Sequence, residues 1–363
     1  MGTAESALAA GGPELETPLR PKNQSEKGYD FEVLTVVVNY NSKPFLAIER
    51  KLLEGLAELG RRVRLKLLLV DNHSTDGSFE ELEEHAERVG VDAEAIRLSK
   101  NFGFTRAVNI AWHYARRRWK FKYFMLLNND LVIVPSNVAK LLKYLEIDNV
   151  AGVQGTIMQA DNPRLIDNAG FAIDTFGLTY PICRGYTIKC AKTCHPSFLS
   201  GAFSVYRADA IEKLGQPFHN AVEAYFDDKY LGLRLWSSGY KLLHVPLVVA
   251  YHLGSASYAA RRKLKSHQWF KGIVLAELAP SYIGRSQVRY LITIYYGAIA
   301  VILSLVQLSN TTILKQYISA LKEVLKLRTS GDVDKSLAKA VPRIKPKLTL
   351  NRLNLGVTLQ SSY

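Results

Sequence analysis

Cysteine is scarce in this chain, with three among 363 residues, all of them between positions 183 and 194. So small and clustered a set cannot supply the dispersed, even-numbered disulfide framework of small secreted domains, and it points to a reducing compartment. Cys190 and Cys194-His195 miss the two-residue spacing of a haem attachment site, and with Cys183 they could make at most a zinc cluster. Two phosphate cradles are also missing. No Gly-x-Gly-x-x-Gly follows the first strand signal and no Gly-x-x-x-x-Gly-Lys occurs anywhere, which removes the usual dinucleotide oxidoreductase and P-loop nucleotidase. Negative charge on a bound diphosphate must then be met by a metal ion or by basic side chains. No helix-turn-helix, zinc finger or aromatic RNA-binding motif is present, so a nucleic-acid partner is not expected. The first 30 residues have neither the basic start nor the apolar run of a signal peptide and are expected to form a flexible tail.

What the chain does have is apolar residue enough for a large core, 48% hydrophobic against 22% charged, the balance of a folded domain with or without an appendage. Its formal charge of +14 is lopsided. Residues 261–363 hold 17 Lys and Arg against 4 Asp and Glu and so carry +13 of it, which points to an anionic partner such as an anionic membrane surface. Residues 290–314 bear no formal charge. Tyr290–Leu308 approaches the length of a membrane span, but Gln307, Asn310 and two threonines dilute it. A tilted or interfacial helix flanked by basic residues fits better than a full crossing. The expected organisation is a tail over 1–30, an α/β domain over 31–260 and a helical, basic, membrane-associating region over 261–363. The expected location is the cytoplasmic face of the cell membrane, peripheral or with one C-terminal hydrophobic segment.

Periodicity gives the α/β reading. Val33-Leu-Thr-Val-Val-Val38 is a continuous apolar run of the kind found in a doubly covered sheet, and it ends at Asn39-Tyr-Asn-Ser42. An amphipathic stretch follows Pro44 to about Leu59, and Leu65-Lys-Leu-Leu-Leu-Val70 repeats the strand signal before Asp71-Asn-His-Ser-Thr-Asp76-Gly77. Ser78 with Glu81 predicts a capping box at the next helix. A short strand near 95–98, a helix over about 104–117, the strand Tyr123-Phe-Met-Leu-Leu127 and a further strand over 151–157 continue the alternation, which implies parallel strands with right-handed helical crossovers. Turn formers dominate 158–200. Regularity returns at Gly201-Ala-Phe-Ser-Val-Tyr206, at a helix opening with Tyr225-Phe-Asp227-Asp228, and at a strand over Lys241–Val245 that stops before Pro246.

Acidic residues stand at the ends of these elements: Asp71 with Asp76, Asp130, and Asp227 with Asp228, with His252 beyond the last strand. Carboxylates at the carboxyl ends of parallel strands can meet in one crevice although far apart in sequence. Together with a histidine they suit a hard divalent cation, Mg2+ or Mn2+.

In order and spacing these segments resemble the inverting glycosyltransferases of the GT-A fold, family 2, and in particular its rhamnosyltransferase-like members, over about residues 33–260. Thr35-Val-Val-Val-Asn39-Tyr40-Asn41 resembles the opening strand and nucleotide-contacting loop, Asp71 to Ser78 the second loop, Asn101-Phe-Gly103-Phe104 with Asn109 the segment beneath the donor, and Leu127-Asn128-Asn129-Asp130 the metal element. Asn129 stands where the family often has Pro. Gly201-Ala202-Phe203 resembles the acceptor-side strand. Phe226-Asp227-Asp228 matches the usual Phe-Glu-Asp with a shorter first carboxylate, and Tyr230 replaces a further acidic residue. The resemblance implies a GT-A nucleotide-diphospho-sugar transferase fold with a mostly parallel central sheet and a helical basic C-terminal extension. It implies donor contacts from Asn39, Tyr40, Asn41, Asp71, Asn101, Asn128 and Asn129, a metal held by Asp130 and His252, acceptor contacts from Gly201, Ala202 and Asp227, and Asp228 as catalytic base. The implied donor is a UDP-, dTDP- or GDP-linked sugar, and the implied acceptor a lipid-linked saccharide or cell-surface glycoconjugate. A nucleotidyltransferase forming a nucleoside diphosphate sugar is the rival, since it would use the same acidic crevice.

Overall fold

The computed structural model describes residues 15–16, 30–220, 226–254, 270–284, 287–306, 311–330 and 341–344. The predicted tail apart from Leu15–Glu16 and Asp30, the residue Tyr225, the basic run Arg261–Lys265 and most of the chain after Gly331 lie outside the described residues.

The strand β1 (Leu15–Glu16) and the apolar runs form the first half of a sheet: β2 (Asp30–Asn39), β3 (Leu65–Asp71), β4 (Ala93–Leu98) and β5 (Lys120–Leu127). Between them run α1 (Leu46–Gly60), α2 (Ser78–Val89) and α3 (Phe104–Arg118). The chain continues through β6 (Leu131–Ile133), α4 (Pro135–Leu142), β7 (Val150–Gln159), β8 (Ile166–Asn168), β9 (Phe171–Asp174) and β10 (Thr179–Pro181). It then forms β11 (Phe203–Arg207), α5 (Ala208–Lys213), α6 (Asp227–Ser237) and β12 (Lys241–His252). Last come the helical residues 270–283, here α7, then α8 (Arg289–Val306), α9 (Thr312–Thr329) and β13 (Arg343–Ile344).

The large sheet has the order β1-β4-β3-β2-β5-β11-β7-β12-β6, with β8 beside β7. β4, β3, β2 and β5 are mutually parallel, and β7 is parallel to β12. β11 enters antiparallel between β5 and β7, and β6 pairs antiparallel with β12. The sheet is therefore mixed, although six strands share one direction. β2, β3 and β5 are buried on both faces, with Val33, Val37, Leu67 and Leu69 in one core and Leu34, Val36, Leu68 and Val70 in the other. Continuous apolar runs follow from this two-sided covering.

Three local expectations are corrected. The helix α2 is not opened by a Ser78–Glu81 box: Gly77 at φ 78 stands at the cap position and Asp76 accepts the Ser78 amide at 3.0 Å, while Glu81 pairs with Lys43 and Arg50. β12 does not stop before Pro246 but runs on to His252, with its pairing to β7 shifted between His244 and Val248. A bulge absorbs the missing proline donor, and Gly155 of β7 makes room for it, because a Cβ there would lie 2.2 Å from Val249 and 2.6 Å from the Leu247 carbonyl oxygen. Finally, Cys183 and Cys190 form a disulfide, leaving Cys194 free and half-buried. The zinc cluster loses two of its thiolates, and reduced cysteines no longer argue for a compartment.

Candidate active site

β2, β3, β5, β7 and β12 end at one edge of the sheet, and β6 and β11 start from it. Asn39 and Asp71 are register partners there, as are Asp71 and Arg97. The Asn39 amide group donates to Asp71 Oδ1 at 3.3 Å and to the hydroxyls of Ser74 and Ser78, each at 3.1 Å. Asp71 is wholly buried. It accepts the Ser74 backbone amide on both oxygens, at 3.2 and 3.1 Å, and Arg97 Nε on Oδ2 at 2.8 Å. Its carboxylate thus braces the loop from behind rather than facing open solvent. Asn41, at φ 48, accepts the Thr75 amide at 2.8 Å and stands half-buried beside Tyr40. Asn39 Oδ1 is buried with no donor among the described residues, an acceptor left over at the crevice end of β2. Asn101 Oδ1 accepts from the Asn72 side chain at 3.0 Å and from the Gly103 amide at 2.9 Å, which joins the third loop to the second.

β5 leads into Asn128-Asn129-Asp130, and the Asn128 amide donates to the Ala202 carbonyl at 2.9 Å, so this turn lies against the start of β11. The Asn129 side chain does not reach outward. It donates to Glu49 Oε1 on α1 at 2.6 Å, which makes it a brace of the turn. Asp130 Oδ1 lies 3.1 Å from His252 Nε2, and His252 Nδ1 lies 3.0 Å from Asp167 Oδ2. Burial pulls the His252 pKa down, but the hydrogen bonds to the two carboxylates and their charges outweigh it and raise it to about 9.

The pair fits a divalent cation. One carboxylate oxygen and one imidazole nitrogen are donors of the kind such a cation accepts. Asp167 supplies the carboxylate partner that orients a ligating imidazole through its other nitrogen. The cation would take the place of the proton at Nε2. Among the described residues no cluster of three or more acidic, histidine or cysteine ligands forms, so a cation held here needs further oxygens from substrate and water.

Asp228 stands on the first turn of α6. Its Oδ2 accepts the Gly201 amide at 3.2 Å and its Oδ1 the Lys229 amide at 2.7 Å. Burial raises its pKa against those two amides and the nearby Lys229 charge, which makes the carboxylate a better proton acceptor. Asp227 is buried beside it, with Oδ2 3.9 Å from the point a Gly201 Cβ would occupy. Gly201 and Ala202 are seated by a buried network: Gln154 accepts the Ser200 amide at 2.6 Å and donates to Asn168 at 2.7 Å, and the Ala202 amide donates to Ser200 Oγ at 3.2 Å. A continuous run of contacts therefore links Asp228 through Gly201, Ala202 and Asn128 to Asp130, His252 and Asp167.

Residues 35–215 match the model of the family described as glycosyl transferase family 2. The chain carries a glycosyl transferase family 2 domain. An uncharacterized protein of Methanocaldococcus jannaschii is 25% identical over 220 residues, 60% of this chain and 90% of the relative. The undecaprenyl-phosphate 4-deoxy-4-formamido-L-arabinose transferase of Klebsiella pneumoniae is 25% identical over 58% of this chain and 66% of its own length. Among solved structures, S. aureus TarS superposes with a TM-score of 0.50 at 14% identity, over 83% of this chain and half of that one. The fold is GT-A, of α/β class with a mixed sheet, and the protein is a glycosyltransferase.

Three site residues of this transferase escape a reading of its motifs. Arg97 could have been found as the strand-end cation opposite Asp71. Asp167 lies in an irregular segment and carries no signal. Glu49 is the clearest omission, because it occupies the apolar stripe of α1 with Leu46, Leu53 and Leu56. Its carboxylate accepts from Ser42 Oγ and from Asn129. Burial, aided by the charges of Asp76 and Asp130, raises its pKa to about 7 against those two hydrogen bonds. A carboxyl that holds its proton more tightly folded than unfolded contributes stability at low pH and loses it as pH rises through the folded value. The shift to about 7 is worth up to roughly 3 kcal/mol. Glu49→Gln keeps the shape without the titration. It is expected to raise the melting temperature at pH 8 by about 5 °C and to change it little at pH 4.5. An equal shift at both values, in melts across that range, would refute the account.

Proposed function

We propose that this glycosyltransferase is inverting and divalent-cation-dependent, and that it moves a sugar from a nucleoside diphosphate to an acceptor hydroxyl in one displacement. What supports this reading is the run of contacts from Asp228, which accepts the Gly201 amide, through the Ala202 carbonyl and the Asn128 amide to the turn that carries Asp130 beside His252. In this reading the Asn39–Asp71–Arg97 loop seats the nucleotide, with Tyr40, Asn41 and Asn101 along its rim. Asp130 and His252 would hold the cation, whose chemistry is to stabilise negative charge on the departing diphosphate. Asp228 accepts the proton of the acceptor hydroxyl as it attacks the anomeric carbon from the opposite face. Asp227, Gly201 and Ala202 orient the acceptor. No second carboxylate is required to protonate the leaving group, unlike in a glycosidase. The decisive assay is a panel of UDP-, dTDP- and GDP-linked sugars with Mg2+ and with Mn2+, reading the released nucleotide. Free nucleoside diphosphate is expected, with a dTDP-linked deoxysugar as the first candidate. Inorganic diphosphate from a nucleoside triphosphate would instead establish a nucleotidyltransferase.

The acceptor is proposed to be lipid-borne and met at an anionic membrane surface. α8 is long and apolar enough to cross a membrane, yet among the described residues only one of its faces is covered, through Ile292, Tyr296 and Ala300. Leu291, Ile294, Leu305 and Val306 are 65–73% exposed. An uncovered apolar stripe on a basic region suits the interface of an anionic bilayer. The name of the Klebsiella relative, which contains undecaprenyl phosphate, supports the same acceptor class. Leu291→Asp with Leu305→Asp is expected to weaken binding to phosphatidylglycerol vesicles at least about tenfold while leaving the melting temperature nearly unchanged. Unaltered co-sedimentation of the folded double variant would count against this surface.

A further inference from the structure

The helix that carries Asp228 is buried on two sides. Leu231, Leu233, Leu235 and Trp236 belong to a core shared with the central sheet, whereas Phe226 and Tyr230 belong to the core built by α7, α8 and α9. Next to Asp228 stands Lys229, 2% exposed. Burying an ammonium is costly unless its protons are all taken up. Its Nζ donates to the carbonyls of Ala276, at 2.5 Å, and Gly177, at 3.1 Å, and lies 3.8 Å from Glu277 Oε2.

The Ala276 carbonyl is a particular kind of acceptor. Within α7 its helical donor would be the amide of residue 280, but residue 280 is proline and has no N–H. The second acceptor, Gly177, lies on the turn between β9 and β10 at φ 92, and that turn is pressed onto the same helix. A Cβ on Gly177 would lie 2.5 Å from Ser281 Oγ and 3.0 Å from the Ser281 amide nitrogen. Glu277 closes the arrangement by accepting the Thr179 amide at 3.1 Å. A carbonyl vacated by proline, a turn that only glycine can bring so close and a buried cation therefore meet one residue from Asp228.

We propose that Lys229 is a positioning residue for Asp228, locking the first turn of α6 to the carbonyl freed by Pro280 in α7 and to the Gly177 turn, so that the C-terminal helices take part in holding the base. The inference rests on the proposed role of Asp228. It assigns the C-terminal region a task besides membrane contact, because whatever displaces α7 also displaces the carboxylate. Lys229 also acts by charge. Among the described residues, the titratable groups facing Asp228 are Asp227 on its own turn and Tyr206 from β11, with Glu277 facing Lys229 from α7. Without the ammonium, no cation remains among these groups, and the carboxylate holds its proton to higher pH.

The test uses the full chain and the donor that the wild type consumes. Lys229→Met is expected to lower kcat at pH 7 about 30-fold and to move the acidic limb of the pH–rate profile upward by about one unit. Its Kd for the released nucleoside diphosphate with Mn2+ should stay within about twofold. Lys229→Arg, which keeps charge and donors but not their placement, is expected to lose kcat about fivefold with the limb in its wild-type position. A folded Lys229→Met enzyme with wild-type kcat and an unmoved limb overturns the inference while leaving the transfer reaction intact. If circular dichroism shows that variant unfolded, Lys229→Arg decides: wild-type kcat overturns the inference and the selective loss supports it. Absence of transfer by the wild type with every donor overturns this inference together with the function on which it rests.

Discussion

Asp228→Asn is expected to abolish turnover, with kcat falling at least about a thousandfold, while the nucleoside diphosphate still binds. The substitution is nearly isosteric, and one amide oxygen remains to accept from either the Gly201 or the Lys229 backbone amide, so the start of α6 should keep its place. What disappears, on the proposed role, is the acceptor for the proton of the incoming alcohol. An alcohol attacking without a base must shed that proton to water in a crevice from which water is being excluded, and no binding interaction compensates for that. The loss should therefore fall on kcat and kcat/KM alike, with nucleotide affinity measured by calorimetry in the presence of Mn2+ unchanged. Asp227→Asn supplies the contrast, since a residue that orients the acceptor should raise the acceptor KM before it lowers kcat. Wild-type turnover in the Asp228 variant would remove the carboxylate from the chemistry.

The first half of the fold is legible because its strands are buried on both faces and their helices are amphipathic. Val33–Val38 and Leu65–Val70 need no tertiary information to be recognised. The reversal of β11 is a different matter: Phe203–Tyr206 is as apolar as its parallel neighbours, and nothing in one strand states the direction of the next. Pro246 misleads because its missing donor is absorbed by a bulge that depends on Gly155, a residue of another strand. The site divides in the same way. Asn39 and Asp71 close strands that the sequence announces, whereas His252 closes one that the sequence pattern ends before Pro246. Residues that only brace the site are not announced, since Asp167 reaches His252 across 85 residues and Glu49 reaches Asn129 across 80. Asn129 departs from the common proline, and its amide meets a carboxyl on α1 that proline could not have engaged. The disulfide of Cys183 and Cys190 depends on a loop path that spacing does not encode.

Removal of divalent cation is expected to stop the reaction, and the residues responsible can be separated by how they fail. Chelator-treated protein should regain turnover with Mn2+ or Mg2+. Asp130→Asn should weaken Mn2+ binding in the presence of nucleoside diphosphate and lower kcat/KM about 100-fold or more, because in the proposed site it would replace an anionic ligand with a neutral one. Asp167→Asn would act one step removed from the proposed cation. It leaves His252 in place but takes away the carboxylate that orients its ring, so the cation affinity should fall about 10- to 100-fold while kcat at saturating Mn2+ recovers. Calorimetric titration of Mn2+ reads both effects without relying on turnover. Unchanged Mn2+ affinity in the two variants would place the cation away from this edge of the sheet, and the charge on the departing diphosphate would then need another partner. Recovery of the Asp167 variant alone would assign Asp130 to direct contact and Asp167 to the support of His252, whose two nitrogens lie 3.1 Å and 3.0 Å from these carboxylates.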